Sequence, residues 1–248
     1  VLKSGLKVRL TEIDAPSLRE EMGKEARTAL ERMTANRPIQ LAYGGTERGE
    51  DGRAFALAFV RTEGGRWVFV QKAMLLEGWA RVRTHRENFA RAEELYAAEA
   101  AARADKKGMW KQTTFRPVSA DAIAHTTEEA IAAHPECKAD ETVDAKAPTD
   151  GDAARPARRN LSDFMLIEGK VASVNPREKD IYINFGADFS RDFAVRIPIE
   201  AAKNWPGGVA EIEALAQQKV RVRGMVARCR KPIMRADHPT QFEMLAKG

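Results

Sequence analysis

Hydrophobic and polar positions alternate where the chain begins. Leu6, Val8 and Leu10 are separated by Lys7 and Arg9, the period of two that marks a half-buried strand, and Ile13 follows before a turn at Ala15-Pro16. From Gly23 to Asn36 the period lengthens: Ala26, Leu30 and Met33 fall along one side of a helix, and Pro38 stops it. Strands are predicted at 39–43, 54–60 and 67–70, with turns at Gly44-Gly45, around Gly52 and at Gly64-Gly65, which reads as a β-meander. Two helices follow, at 71–79 and 87–107, the second burying Phe89, Leu95 and Tyr96 and ending at Gly108.

Between Ser119 and Asn160 the periodicity is lost. Large apolar residues become scarce and Ala, Asp, Glu, Thr and Pro dominate, the composition of a linker with room for one short helix around 120–133. His125, His134 and Cys137 sit here at a spacing that matches no zinc pattern, and read as solvated linker residues. Beyond it, strands are predicted at 164–174, 181–185, 193–199, 219–227 and 241–245, with a helix at 208–217 before the fourth. That arrangement fits the five-stranded, partly open barrel that binds oligonucleotides and oligosaccharides, although spacing alone does not separate it from other small barrels. The expected fold is mainly β with an α+β character. Two small barrels of the oligonucleotide-binding type are predicted, at 1–119 with packed helices and at 161–248, joined by an acidic linker at 120–160.

Composition adds limits. Of 248 residues, 44% are apolar and 31% charged, as in soluble globular proteins, and no apolar run approaches the roughly 18 residues of a membrane helix. Cys137 and Cys229 are too few for a disulfide framework or for a zinc site made of cysteine alone. The chain begins at Val1 without methionine or leader and reads as a processed or truncated product. Its net charge of +5 is unevenly spread: residues 1–120 carry 22 Lys+Arg against 16 Asp+Glu, residues 121–160 carry 5 against 9, and residues 161–248 carry 14 against 11. Two basic blocks flank an acidic connector. Basic domains attract polyanions, nucleic acid being the commonest, while a basic solubilising surface with no partner accounts for the charge equally well.

The candidate chemistry lies near one rim of the first sheet. Arg9 has strand neighbours, Val8 and Leu10, that point the other way; Asp14 follows at the strand's end, and Arg53 comes directly after Gly52, where a missing side chain leaves the backbone approachable. An arginine pair can clamp a phosphate through charge-assisted hydrogen bonds, and an aspartate can hold a hard cation. The wider context is a series of motifs: Val-Arg-Leu-Thr-Glu-Ile-Asp-Ala-Pro at 8–16, Gly-Lys-Glu-Ala at 23–26, Asp-Gly-Arg-Ala at 51–54, Leu-Leu-Glu-Gly-Trp-Ala-Arg-Val at 75–82 and Lys-Lys-Gly-Met-Trp at 106–110. In this order and spacing they resemble the staphylococcal nuclease (thermonuclease) family over residues 5–111.

The resemblance implies an oligonucleotide-binding barrel with packed helices, and calcium-dependent hydrolysis of phosphodiester bonds in DNA and RNA by a secreted or periplasmic bacterial protein. By position, Arg9 and Arg53 match the catalytic phosphate-clamping arginines, and Asp14 and the backbone carbonyl of Ala15 match calcium ligands. Arg81 and Arg83, with His85 and Arg86, fall where phosphates are contacted. Two arginines and a cation aimed at equatorial phosphate oxygens stabilise the transition state more than the ground state. Three departures point to the alternative, a catalytically impaired nucleic-acid-binding module. Ser17 stands where the family has a glutamate serving the general base, the chain starts too late to contain the Asp-Gly-Asp-Thr segment with the first calcium aspartate, which is either truncated away or absent, and stacking tyrosines near 80–85 are not evident.

The C-terminal block is similar to the barrel domain that follows the nuclease domain in some bacterial thermonuclease-like proteins. The similarity is carried by Val-x-x-Val at 171–174, Ile-Tyr-Ile-Asn-Phe-Gly at 181–186, Asp-Phe-Ala-Val at 192–195, Val-Arg-Val-Arg-Gly at 220–224 and His238-Pro239-x-Gln241. Arg221 and Arg223 share a strand face with Lys219 and are expected to contact nucleic acid. Arg228 and Arg230 have the opposite parity, with Gly224 as a candidate bulge that brings both sets together. Tyr182, Phe185, Phe193 and Trp205 have the chemistry to stack on bases, but core packing is the expected role.

Overall fold

Residues 1–116 and 117–248 form two units, each with its own hydrophobic core. The computed structural model describes residues 1–49, 51–84, 87–123, 162–227 and 231–245.

In the first unit, β1 (Val8–Leu10) runs parallel to β4 (Ala54–Arg61), and β3 (Ile39–Ala42) and β5 (Trp67–Phe69) pair antiparallel with β4. The β1 pairing extends one hydrogen bond further, from Thr11 N–H to the Ala56 carbonyl at 3.1 Å. The chain then kinks at Glu12, which adopts a left-handed conformation with φ 64°. This kink carries β2 (Ile13–Asp14) off β4 and onto β6 (Arg81–Val82), where Asp14 lies opposite Arg81. A left-handed conformation costs a non-glycine residue about 1–2 kcal/mol, so something must hold it. The Glu12 carbonyl accepts the Arg83 N–H at 2.9 Å, and its buried carboxylate accepts the Arg91 N–H at 3.0 Å.

Three helices cover the sheet: α1 (Gly23–Thr34), α2 (Val70–Leu76) and α3 (Ala92–Ala104). Leu57, Val60, Val70, Met74, Leu75, Val82 and Leu95 form the core between them. Gln71, fully buried at the start of α2, accepts the Ala58 N–H and donates to the carbonyls of Ala56 and Thr11. It satisfies backbone groups of β4 and β1 just where their mutual pairing ends. Helix α3 starts at Ala92 rather than near 87; the Arg91 N–H just before it goes to Glu12, and the Glu87 side chain takes the Thr46 hydroxyl. Phe89, expected in the core on that helix, is consequently 37% exposed.

The second unit is an eight-stranded sheet. Its strands are β7 (Val118–Ser119), β8 (Ser162–Lys170), β9 (Ser173–Pro176), β10 (Asp180–Asn184), β11 (Ala194–Pro198), β12 (Lys219–Ala227), β13 (Ile233–Arg235) and β14 (Phe242–Met244). They run in the order β7-β8-β12-β13-β11-β10-β9, with β14 also on β12. A short helix, α4 (Gly208–Glu213), precedes β12. Phe185, Phe193 and Trp205 are buried in the core with Ile181, Ile183, Val195 and Ile212.

Several expectations change. Val118–Ser119 pairs with β8, and Ala120 and Ile123 are buried in the second core, so this unit opens at Pro117 and the first ends at Arg116, three residues before its expected end. The remaining expected linker, with His125, His134 and Cys137, lies outside the described residues, as do His85, Arg86, Arg228, Cys229 and Arg230. The strand predicted at 164–174 is two strands, since Val171 turns aside to exchange backbone hydrogen bonds with Gln217 and Gln218. Gly224 makes no bulge: β12 keeps an unbroken register with β8 across it, and an added Cβ would lie 2.9 Å from the Met234 side chain. Among the described residues neither unit's strand pairing closes on itself, so the two predicted small barrels stand as two open sheet regions with helices, mixed α and β. No described helix is long and apolar enough to cross a membrane.

Candidate nucleic-acid interface

Arg9 and Phe55 are register partners on β1 and β4, so their side chains share a sheet face. Arg53 directly precedes β4, two residues before Phe55, and falls on the same face if the strand's alternation is carried one residue back. Two residues of rise and one interstrand step place the two arginine Cα atoms about 8 Å apart, a separation that two long guanidinium side chains can close around one phosphate. The Arg9 guanidinium lies 5.9 Å from the Phe55 ring centroid and has no carboxylate partner among the described residues. Arg53 donates through Nε to the Asp51 carboxylate, which also accepts the Arg53 N–H at 3.1 Å. These bonds, the backbone one foremost, hold the Asp51 carboxyl below its ordinary range. The pair is well exposed, so water and salt weaken it and an incoming phosphate can compete. Gly52 serves the turn itself: its φ is 74°, and the space where a Cβ would stand is open, so no close approach explains it.

Asp14 is differently placed. Its Oδ2 accepts from Arg81 Nε at 3.1 Å and Nη2 at 3.0 Å, and its Oδ1 lies 3.3 Å from Arg83 Nη1. The predicted calcium ligand and the two predicted phosphate contacts of this region are therefore bonded to one another. Ala15 is exposed just beyond β2. The Ser17 N–H donates to Glu20 at 2.6 Å and the Thr114 hydroxyl to Glu21 at 3.4 Å, so both nearby glutamates hold local structure.

Calcium takes six to eight oxygens. Here both oxygens of Asp14 already face guanidinium groups, and no group of three or more His, Cys, Asp or Glu able to hold a metal exists among the described residues. The described donor set does not fit the ion.

The second unit's predicted contacts are structural. Arg221 is held between Glu168 of β8 and Glu243 of β14, and Arg223 is 1% exposed with its guanidinium on Glu243. Neither offers an open guanidinium to a phosphate. His238 caps the turn at Pro239–Gln241, and Gln241 accepts the N–H groups of Asp237 and His238 while donating to the Arg223 and Arg235 carbonyls. The His238-Pro239-x-Gln241 motif is thus a stitch between strands.

The stretch from β1 through α3, within which Arg9, Asp14 and Arg53 fall, matches a known family. Residues 7–112 match the staphylococcal nuclease homologue family. The match supports a nuclease-like action on nucleic acid and implies the oligonucleotide-binding fold for this part of the chain. No curated protein matches the chain. Sequence reasoning missed Glu12, Gln71 and Glu99, three buried polar side chains that bond backbone groups around this region; Glu99, for example, accepts the Val82 N–H beside Arg81. Of the three, Glu99 alone had a signal, a charged residue within a run of alanines.

Proposed function

We propose that the first unit binds the phosphodiester backbone of nucleic acid through Arg9 and Arg53. The observation that carries this reading is Arg9 on β1, uncommitted to any described carboxylate, with Arg53 directly before the adjoining strand β4 and paired only at the surface. The occupied carboxylate of Asp14 and the serine at position 17 favour binding with little or no hydrolysis. The second reading, a calcium-dependent phosphodiesterase acting on DNA or RNA, is favoured by the family match. In it the same two arginines would stabilise charge on the equatorial oxygens.

One experiment separates the two. The full chain is titrated with labelled single-stranded and duplex DNA and with RNA in EDTA, and cleavage is followed separately with and without calcium. Binding is expected to survive EDTA. In the Arg9→Ala/Arg53→Ala variant the slope of log affinity against log salt should become shallower by about 1.8 on duplex DNA, two phosphates at about 0.9 each. Calcium-dependent cleavage abolished by that variant would establish the phosphodiesterase instead. A salt slope indifferent to both arginines would remove the assigned site from either reading.

A further inference from the structure

A sheet face in the second unit, distinct from the buried Arg221 and Arg223, has the chemistry of a binding surface. Strands β9, β10, β11 and β13 lie side by side, and their register aligns Asn175, Tyr182, Arg196 and Arg235 in one row. The flanking residues Ile181, Ile183, Val195, Ile197 and Met234 are fully buried, so alternation puts the row on the outward face, and each of its members is partly exposed. Lys231 holds its ammonium 5.8 Å from the Tyr182 ring centroid and donates to the Phe189 carbonyl at 3.0 Å. Phe189 itself, in the loop between β10 and β11, is 58% exposed. Arg196 lies 3.7 Å from Asp180, which fixes its place at the hairpin, whereas Arg235 has no carboxylate partner among the described residues.

A partly exposed phenol beside an ammonium group, an exposed phenyl ring in the adjoining loop and guanidinium groups in the same row match what an unpaired strand presents. Bases stack on the rings and phosphates meet the cations, whereas a duplex hides its base faces. We infer that this face binds single-stranded nucleic acid, with bases on Tyr182 and Phe189 and backbone phosphates at Lys231 and Arg235. The site is independent of the arginine pair in the first unit.

The test uses the full chain carrying Arg9→Ala/Arg53→Ala, which removes the first unit's proposed contacts. Fluorescence anisotropy compares oligothymidylate and oligouridylate of about 12 nucleotides, within the span of one such site, with a duplex and with an abasic strand of equal length. The single strands should bind more tightly than both, and Tyr182→Ala/Phe189→Ala should weaken them at least about tenfold while leaving the abasic strand unchanged. Lys231→Ala/Arg235→Ala should lower the salt slope by about 1.4 on single strands, at about 0.7 per phosphate. Phe189→Ala alone, in an exposed loop, and Tyr182→Phe, which keeps the ring, guard against a variant that fails to fold: the first should weaken single-strand binding and the second should preserve it. Single-strand affinity unchanged by Phe189→Ala, equal loss on the abasic strand, or no oligonucleotide binding at low salt would overturn the assignment.

Discussion

The tripeptide Arg-Val-Arg occurs in both units, at 81–83 and at 221–223. In each the valine is fully buried, which sends the two arginines to the other face of the strand. In each a carboxylate on an antiparallel neighbour lies opposite the first arginine, Asp14 opposite Arg81 and Glu243 opposite Arg221, and reaches both guanidinium groups. The surroundings differ. The first copy sits on a two-stranded ribbon and keeps 13% exposure on both arginine side chains, whereas β12 is flanked by β8, β13 and β14 and leaves Arg221 with 14% but Arg223 with 1%. The second arginine of the tripeptide stands at a rim in one place and is a buried crosslink in the other. What decides is how many strands stand alongside, a property of pairing partners far away in sequence.

The largest effect should therefore come from the second copy. Glu243→Ala leaves the Arg223 guanidinium buried without this carboxylate and should cost about 3–5 kcal/mol, read as a lowered urea midpoint for the second unit. Asp14→Ala, at the rim, should cost about 1–2 kcal/mol, because water can replace part of what the aspartate supplied. Equal losses would mean that burial is not what separates the two copies.

A smaller effect, on binding, sharpens the contrast. Asp14→Ala takes one carboxylate away from Arg81 and Arg83 at a partly exposed edge, so oligonucleotide affinity should rise at low salt and the duplex salt slope should steepen by up to about 1.8. Glu243→Ala should leave the slope as it was. An Asp14→Ala variant that binds more weakly would show that the aspartate orients these arginines toward phosphate.

These contrasts also show what the sequence made legible. Local periodicity located α1, α2, β3, β4 and β12 to within a few residues, because their apolar faces each meet one core. The position of Arg9 and Arg53 on one face follows from alternation once β1 and β4 are known to be neighbours, but their parallel pairing joins segments some 45 residues apart and has no local signal. Strand β13, three residues long, lies next to residues with no strong alternation and went unpredicted. The commitment of Asp14 to Arg81 and Arg83 was hidden for the same reason as the burial of Arg223. A charged residue's partner depends on strand register, and charge pattern along the chain is blind to register.

The smallest expected effect compares the two units through pH. Burial pushes the Glu12 carboxyl above its ordinary 4.5, against the opposing hydrogen bonds from the Arg91 and Ala90 N–H groups. Between 4.5 and the raised value the folded chain keeps a proton that the unfolded chain has released, so this group's contribution to stability falls as pH rises through that window. Burial pushes His238 below its ordinary 6.5, with Asp237 opposing. There the unfolded chain binds the proton first, so that contribution is lost as pH falls from 6.5 toward the lowered value. The two buried groups thus give opposite slopes. Glu12→Gln keeps an acceptor for the Arg91 N–H but does not titrate. The stability of the wild type minus that of the variant, from urea unfolding between about pH 4 and 7, should decline with pH and then level off. A difference that climbs instead would mean that the backbone hydrogen bonds at the Glu12 kink outweigh the cost of burying its charge.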